Sequence, residues 1–177
     1  MVMAFDDSKF PDAKPATPAD FFDLEKFPGK RTMRKGAKFN LEFALMADGV
    51  PAAEVYTVLA TPEGVDRAFK KLDSIKNDVI WWEAGAQPPQ LLADGEVTLA
   101  YAFNGRIFNA AIADKKPFKI SWDGQIYEME GWVMPKGAPH KEDALKFIAF
   151  STSPAPQARA AEFISYGPPR KSAAALV

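Results

Sequence analysis

An Asn-Gly-Arg tripeptide at residues 104–106 separates two apolar runs and could bind an anion. The run before it, VTLAYAF, is typical of a strand that is covered on both faces. In open α/β sheets, ligands bind beyond the carboxyl ends of strands, where loops enter the next helices. Asn104 could cap such a helix and direct its unpaired N–H groups toward the strand end, and Arg106 could donate two hydrogen bonds to a carboxylate or phosphate. A second interpretation stays open, in which Asn104 only caps the helix and Arg106 lies on the surface.

The composition gives little support to catalysis, metal binding or nucleic-acid binding. The 177 residues include no cysteine and one histidine, His140, so thiol catalysis is excluded and a zinc site is not expected. No nucleophile can be paired with a base, and carboxylate chemistry through Glu128 and Glu130 is the remaining enzymatic alternative. The 22 basic and 23 acidic residues nearly balance, which argues against nucleic-acid binding. We therefore predict no catalytic activity and no cofactor.

Helical and strand patterns alternate along the chain and predict an α/β fold with a mainly parallel or mixed sheet. Thr17 or Asp20 should cap a helix that ends at Pro28-Gly29, and Gly49 should end the next. Thr61 should cap a third helix, and Gly95 should end a short helix within PPQLLADGEV. The predicted strands are residues 1–5, 31–34, 79–82, 97–103, 116–122 and 125–135. Two further helices, separated by a proline-containing break, are predicted for residues 140–154 and 155–167. No apolar run approaches the length of a membrane span, and the first ten residues lack the regions of a signal peptide.

Four segments occur in an order that resembles one protein family. They are KFPGKRTMRKG, WWEAGAQPPQLLADGEVTLAYAFNG, EMEGWVMPKGAPHKEDALKFIAFSTSPAPQ and ISYGPPRKSAA. The chain is similar to the second half of a periplasmic solute-binding protein of an ABC importer, and most similar to the spermidine/putrescine-binding branch. Relatives of that branch bind other small amines and amino acids.

The resemblance implies the second lobe of a two-lobed periplasmic-binding-protein fold of type II, with a mixed sheet flanked by helices. Residues 1–127 would form this lobe, beginning with a strand that crosses between the lobes. Residues 128–177 would supply the returning strand and the helices that pack on a first lobe, which we expect to be missing. The implied partners are a small solute and a membrane permease, and the implied location is periplasmic. Apolar surface meant for the first lobe could instead pair two copies of the chain into a dimer.

The resemblance also implies a set of ligand-binding residues. Phe103 stands where polyamine binders stack an aromatic ring on the ligand, and Glu130 stands where they hold a carboxylate facing an amine. Tyr166 matches a tyrosine of the cleft wall, and Glu128 replaces a common tryptophan. The complete predicted set is Phe103, Asn104, Arg106, Glu128, Glu130, Tyr166, Lys35 and Phe39.

The loop Arg34-Lys35-Gly36-Ala37-Lys38-Phe39 departs from the polyamine pattern. Polyamine binders carry acids there, whereas this loop carries cations that would repel a polyamine and attract a carboxylate. We therefore expect a ligand with an amine at one end and a carboxylate at the other, such as an ω-amino acid. A second interpretation stays open, in which these cations are solvated surface residues that bind no ligand. Two other functions on the same architecture remain alternatives: an enzyme, and the sensor domain of a transcription regulator, although no helix-turn-helix is visible.

Overall fold

The computed structural model describes residues 1–177, which form two compact units, 1–126 and 127–177. In the first unit the strands are β1 (Val2–Asp6), β2 (Arg31–Arg34), β3 (Val79–Trp82), β4 (Leu99–Ala102) and β5 (Phe118–Ser121). Its helices are α1 (Pro18–Phe22), α2 (Asn40–Ala47), α3 (Val55–Leu59), α4 (Pro62–Asp73), α5 (Gln87–Ala93) and α6 (Asn104–Ile112). The second unit contains α7 (Lys141–Ser151), α8 (Pro154–Ala161) and α9 (Lys171–Ala174). None of the helices combines the length and apolar character needed to cross a membrane.

The five strands form one mixed sheet in the order β3-β2-β4-β1-β5. β2 is parallel to both β3 and β4, whereas β1 is antiparallel to β4 and β5. The predicted α/β class with a mixed sheet is therefore confirmed. Because β2, β3 and β4 run in the same direction, their carboxyl ends lie at one edge of the sheet.

The central strand β4 is buried along its whole length, as its continuous apolar sequence predicted. Leu99 and Tyr101 face a core that includes α1 and α2, and Ala100 and Ala102 face a second core that includes α5 and α6. The Tyr101 ring stacks on the Phe43 ring, with the ring centroids 3.6 Å apart. Helices thus cover both faces of the sheet, so a ligand could reach it only at the loops that follow the strand ends.

A buried arginine organises the chain before β2. The Arg31 side chain is fully buried and donates hydrogen bonds to four backbone carbonyls, those of Phe21, Asp23, Phe27 and Gly29. Burial lowers the pKa of this guanidinium, and nearby carboxylates oppose that effect. One side chain thus binds four carbonyls of the same connection, so the chain that leads into β2 is held in one conformation.

Two of the predicted helix starts and two of the predicted helix ends are confirmed. Thr17 and Asp20 form a capping box at α1, and Thr61 caps α4 with Pro62 in the first turn. Gly49 follows α2 and Gly95 follows α5, and both adopt a positive φ. The predicted break between α7 and α8 is also present.

The predicted extension of α1 to Pro28-Gly29 is wrong, because α1 ends at Phe22. Asp23 adopts an extended conformation, and its carboxylate accepts hydrogen bonds from the backbone N–H groups of Glu25 and Lys26. An aspartate that bonds to the backbone just after itself offers the chain a turn in place of further helix.

The predicted strand over residues 125–135 is also wrong, because only its beginning pairs with the sheet. Ile126 exchanges backbone hydrogen bonds of 3.0 and 2.7 Å with Met1, and residues 127–135 contain no strand. Tyr127 and Val133 are 84% and 88% exposed. A strand requires a neighbouring strand for its hydrogen bonds, and this segment has no such neighbour in the sheet.

Candidate ligand-binding site

Three segments meet at the carboxyl edge of β2, β3 and β4, and each directly follows one of these parallel strands. They are the loops 35–39 and 83–86, and Phe103 with the first residues of α6, 104–106. The register places Arg34 opposite Trp82, so the two loops leave the sheet side by side. The sequence predicted the first and third segments as parts of the site, and the structure adds the second.

Aromatic rings form the base of this edge. Trp82 is buried, and its indole N–H donates a 3.0 Å hydrogen bond to the Tyr101 carbonyl, which fixes the indole ring. The Phe103 ring is half-buried and packs edge-to-face on Trp82, with the centroids 5.6 Å apart. A Cβ added at Gly85 would come within 3.0 Å of the Phe103 ring, so glycine allows the 83–86 loop to lie close to Phe103. Phe103 is therefore held at the strand end, where the sequence predicted a stacking residue.

Lys35 and Glu83 form an ion pair between the first two loops. The Lys35 Nζ lies 2.8 Å from the Glu83 Oε1, and the two side chains are 66% and 72% exposed. Their hydrogen bond raises the pKa of Lys35 and lowers the pKa of Glu83. Glu83 could not be identified from the sequence, because nothing local in WWEAG indicates a carboxylate that faces residue 35.

Backbone contacts anchor both members of this pair. The Lys35 N–H donates a 2.8 Å hydrogen bond to the Trp82 carbonyl, and the Glu83 N–H donates one of 2.8 Å to the Gln87 side chain. The backbone is thus fixed at both Lys35 and Glu83, while their charged groups are exposed to solvent.

The structure places Phe39 differently from the prediction. Its ring is buried in the core and does not lie at the rim, so a ligand contact by this side chain is not supported. Phe39 adopts a φ of 74°, which costs a residue other than glycine about 1–3 kcal/mol. The next residue, Asn40, compensates by donating side-chain hydrogen bonds to the carbonyls of Arg34 (2.5 Å) and Gly36 (2.7 Å). The cationic loop is therefore a fixed structure.

The prediction that Asn104 caps α6 is wrong, because Phe103 occupies the cap position and Asn104 is the first helical residue. The first helical hydrogen bonds run to the Phe103 carbonyl, from the N–H groups of Arg106 and Ile107. Arg106 lines a depression of about 240 Å³ between α5 and α6, together with Gln90 and Lys116. Arg106 therefore lies beside side chains of α5 and α6. A contact between Arg106 and a ligand at the strand ends stays a prediction.

Glu128, Glu130 and Tyr166 belong to the second unit. Both glutamates are exposed in a segment without regular structure, and Tyr166 is 40% exposed after α8. Their roles in ligand binding remain predictions. Across the chain, no group of three or more acidic or histidine side chains could hold a metal ion.

All 177 residues match the family model described as bacterial extracellular solute-binding protein. The chain belongs to this family.

Two relatives of this chain are named for the solutes that they bind. The chain is 52% identical over 179 residues to a gamma-aminobutyric acid-binding protein of Pseudomonas aeruginosa, covering 100% of this chain and 50% of that protein. It is 30% identical over 118 residues to the spermidine/putrescine-binding periplasmic protein of Salmonella typhimurium, covering 66% of this chain and 33% of that protein. Both relatives are named for a solute that they bind and not for a reaction. The chain thus spans half or less of the length of these relatives.

The fold is similar to that of a solved GABA receptor. The two share 40% identity with a TM-score of 0.80, over 99% of this chain and 53% of the receptor chain. The fold is also similar to that of a periplasmic binding protein of A. tumefaciens in complex with glucopine, with a TM-score of 0.87 and 32% identity over 99% of this chain and 54% of that chain. The predicted periplasmic-binding-protein fold is therefore confirmed. A likeness to spermidine/putrescine-binding proteins is confirmed, but the prediction that this branch is the most similar one is not. The spermidine/putrescine-binding relative is 30% identical over 66% of this chain, whereas the gamma-aminobutyric acid-binding relative is 52% identical over all of it.

Proposed function

We propose that this chain forms the second lobe of the periplasmic solute-binding protein of an ABC importer and helps to capture an ω-amino acid such as 4-aminobutyrate. The observation that carries the proposal is the carboxyl edge of β2, β3 and β4. There, an aromatic ring at Phe103 accompanies a cation and a carboxylate at Lys35 and Glu83. The Pseudomonas relative, which is named for gamma-aminobutyric acid, supports this choice of ligand.

The charge of the 34–39 loop favours a zwitterion over a polyamine. Arg34, Lys35 and Lys38 place three cations around a short turn. A ligand with two or three ammonium groups would meet like charge there, at a cost of roughly a few kcal/mol in a closed cleft. The carboxylate of an amino acid would be attracted to the same cations, and its methylene chain could lie on the Phe103 ring.

The pairing of Met1 with Ile126 supports the proposed two-lobed arrangement. These two residues exchange backbone hydrogen bonds at the point where the first unit ends. In the proposed protein, β1 and the segment after Ile126 would be the two strands that cross between lobes. Residues 1–127 would form the second lobe, and residues 128–177 would return to a first lobe. The closed, ligand-bound form would then dock on a membrane permease.

Calorimetry with and without a first lobe tests this function. The first lobe of the Pseudomonas relative, produced separately, is the natural complement, because that protein is 52% identical to this chain. We expect the 177-residue chain alone to bind 4-aminobutyrate weakly or not at all, since half of the cleft supplies half of the contacts. The added lobe should restore binding. Equal binding of 4-aminobutyrate with and without the lobe would contradict the proposal.

A further inference from the structure

The Lys35–Glu83 pair joins two loops that are 48 residues apart in the sequence. Each residue is the first after its strand, and the parallel register of β2 and β3 brings the two together. Both main chains are anchored, that of Lys35 on the Trp82 carbonyl and that of Glu83 on the Gln87 side chain. The charged ends are exposed, so they can separate without moving the backbone. An exposed pair of this kind contributes little to folding stability.

We propose that this ion pair is the specificity determinant of the site and that it opens to receive a zwitterion. The proposal rests on the proposed function and adds Glu83 to the binding residues. The ligand carboxylate takes the place of Glu83 on the Lys35 ammonium, and the ligand ammonium binds the Glu83 carboxylate. One internal ion pair is thus replaced by two ion pairs with the ligand.

The exchange selects ligands by their charge at both ends. A diamine can bind Glu83, but its other ammonium group then faces Lys35 and the cations of the same loop. A dicarboxylate can bind Lys35, but its second carboxylate repels Glu83. An ω-amino acid leaves neither Lys35 nor Glu83 opposite a like charge. The pair therefore rejects both kinds of symmetric ligand.

The neighbouring aromatic rings fit this geometry. Glu83 directly follows Trp82, against which the Phe103 ring packs at 5.6 Å. The Arg34 guanidinium lies 6.0 Å from the centroid of the Trp82 ring, which holds this cation beside the pair. Apolar and charged groups are thus adjacent, as a ligand with a methylene chain between two charges requires.

Substitution of each charge, with three ligands, tests the proposal. Calorimetry would use the 177-residue chain with its complementing first lobe and 4-aminobutyrate, putrescine and glutarate as probes. K35Q should weaken 4-aminobutyrate binding by about tenfold, the loss of one ion pair with ligand, and shift preference toward putrescine. E83Q should weaken 4-aminobutyrate binding similarly and shift preference toward glutarate. K35R, which keeps the charge, should retain most of the affinity and the wild-type preference.

The pair Asp73–Lys76 provides a matched control. Its charged atoms are 3.0 Å apart and similarly exposed, and it precedes β3, at the opposite edge of the sheet. D73N/K76Q should leave all three affinities unchanged. If the wild type binds 4-aminobutyrate and neither K35Q nor E83Q changes the ligand preference, the ion-pair proposal is overturned and the proposed function stands. If the wild type with its first lobe binds none of the three ligands, both are overturned.

Discussion

Phe103 is the residue whose position follows most directly from the sequence and which we propose to contact the ligand. It directly follows the buried strand β4, occupies the N-cap position of α6 and packs on Trp82. Its position at a strand end could be predicted from the apolar run before Asn-Gly-Arg. The role of Glu83 could not, because it depends on the register between β2 and β3, and no local pattern encodes that register.

Replacing Phe103 tests the aromatic contact. F103A should weaken 4-aminobutyrate binding by about tenfold, the loss expected when roughly two methylene groups of the ligand are no longer covered, whereas F103W should retain binding. The measurement is calorimetry with the complementing first lobe, accompanied by denaturation curves to compare stability. Phe108, an exposed aromatic residue of α6, supplies the control F108A, which should bind as the wild type does. Unchanged binding by F103A, or equal losses of binding in F103A and F103W, would contradict the assigned role.

At the scale of elements, most of the predicted helix termini were correct because their signals are local, although the cap of α6 is Phe103 and not Asn104. Thr17, Thr61 and Gly49 each act within one turn of chain, so a single sequence suffices to find them. The end of α1 and the absent strand after Ile126 depend on competing contacts. After α1, the Asp23 side chain accepts backbone hydrogen bonds that replace those of a longer helix. Residues 127–135 form no strand because the sheet offers them no strand to pair with.

The capping box of α1 predicts a pH-dependent contribution to stability. Burial raises the pKa of Asp20, but hydrogen bonds from the Ala16 and Thr17 N–H groups and from Lys26 outweigh it, so the folded-state pKa lies below the usual value of 3.8. A carboxyl whose pKa is lowered by folding stabilises the protein above its unfolded pKa, and the effect disappears as pH falls through the folded pKa.

D20A should therefore destabilise the chain by about 1 kcal/mol at neutral pH. The difference from wild type should shrink below about pH 4, as the carboxyl becomes protonated. Urea denaturation at several pH values measures both effects. Asp12, an exposed acid outside the regular elements, supplies the control D12A. A D20A deficit that stays constant from pH 7 to acidic pH would disprove the charge-dependent role of this cap.

At the scale of the whole molecule, the two units differ in how well they bury their apolar side chains. The first unit has a core on each face of its sheet, whereas α7 in the second unit has no buried residue. Phe147, Phe150 and Phe163 are each more than half exposed. The sequence could indicate this only through family resemblance, because the apolar pattern of α7 alone does not identify what covers it.

This exposed surface predicts self-association of the chain when no first lobe is present. Phe150 and Phe163 line an apolar depression between α7 and α8, and association with a second copy would remove such a surface from water. Sedimentation should detect a dimer that F150S/F163S weakens and that F69S, at an exposed phenylalanine of α4, does not. A wild-type chain that remains monomeric over the accessible concentration range would contradict this expectation.

Competition between 4-aminobutyrate and putrescine tests the central claim, that the edge formed by Lys35, Glu83 and Phe103 binds a zwitterion. The chain would be combined with its complementing first lobe and titrated with each ligand at the same pH and salt concentration. We predict that 4-aminobutyrate binds at least about tenfold more tightly, a difference of roughly 1.4 kcal/mol. Putrescine binding about tenfold more tightly than 4-aminobutyrate would contradict the account.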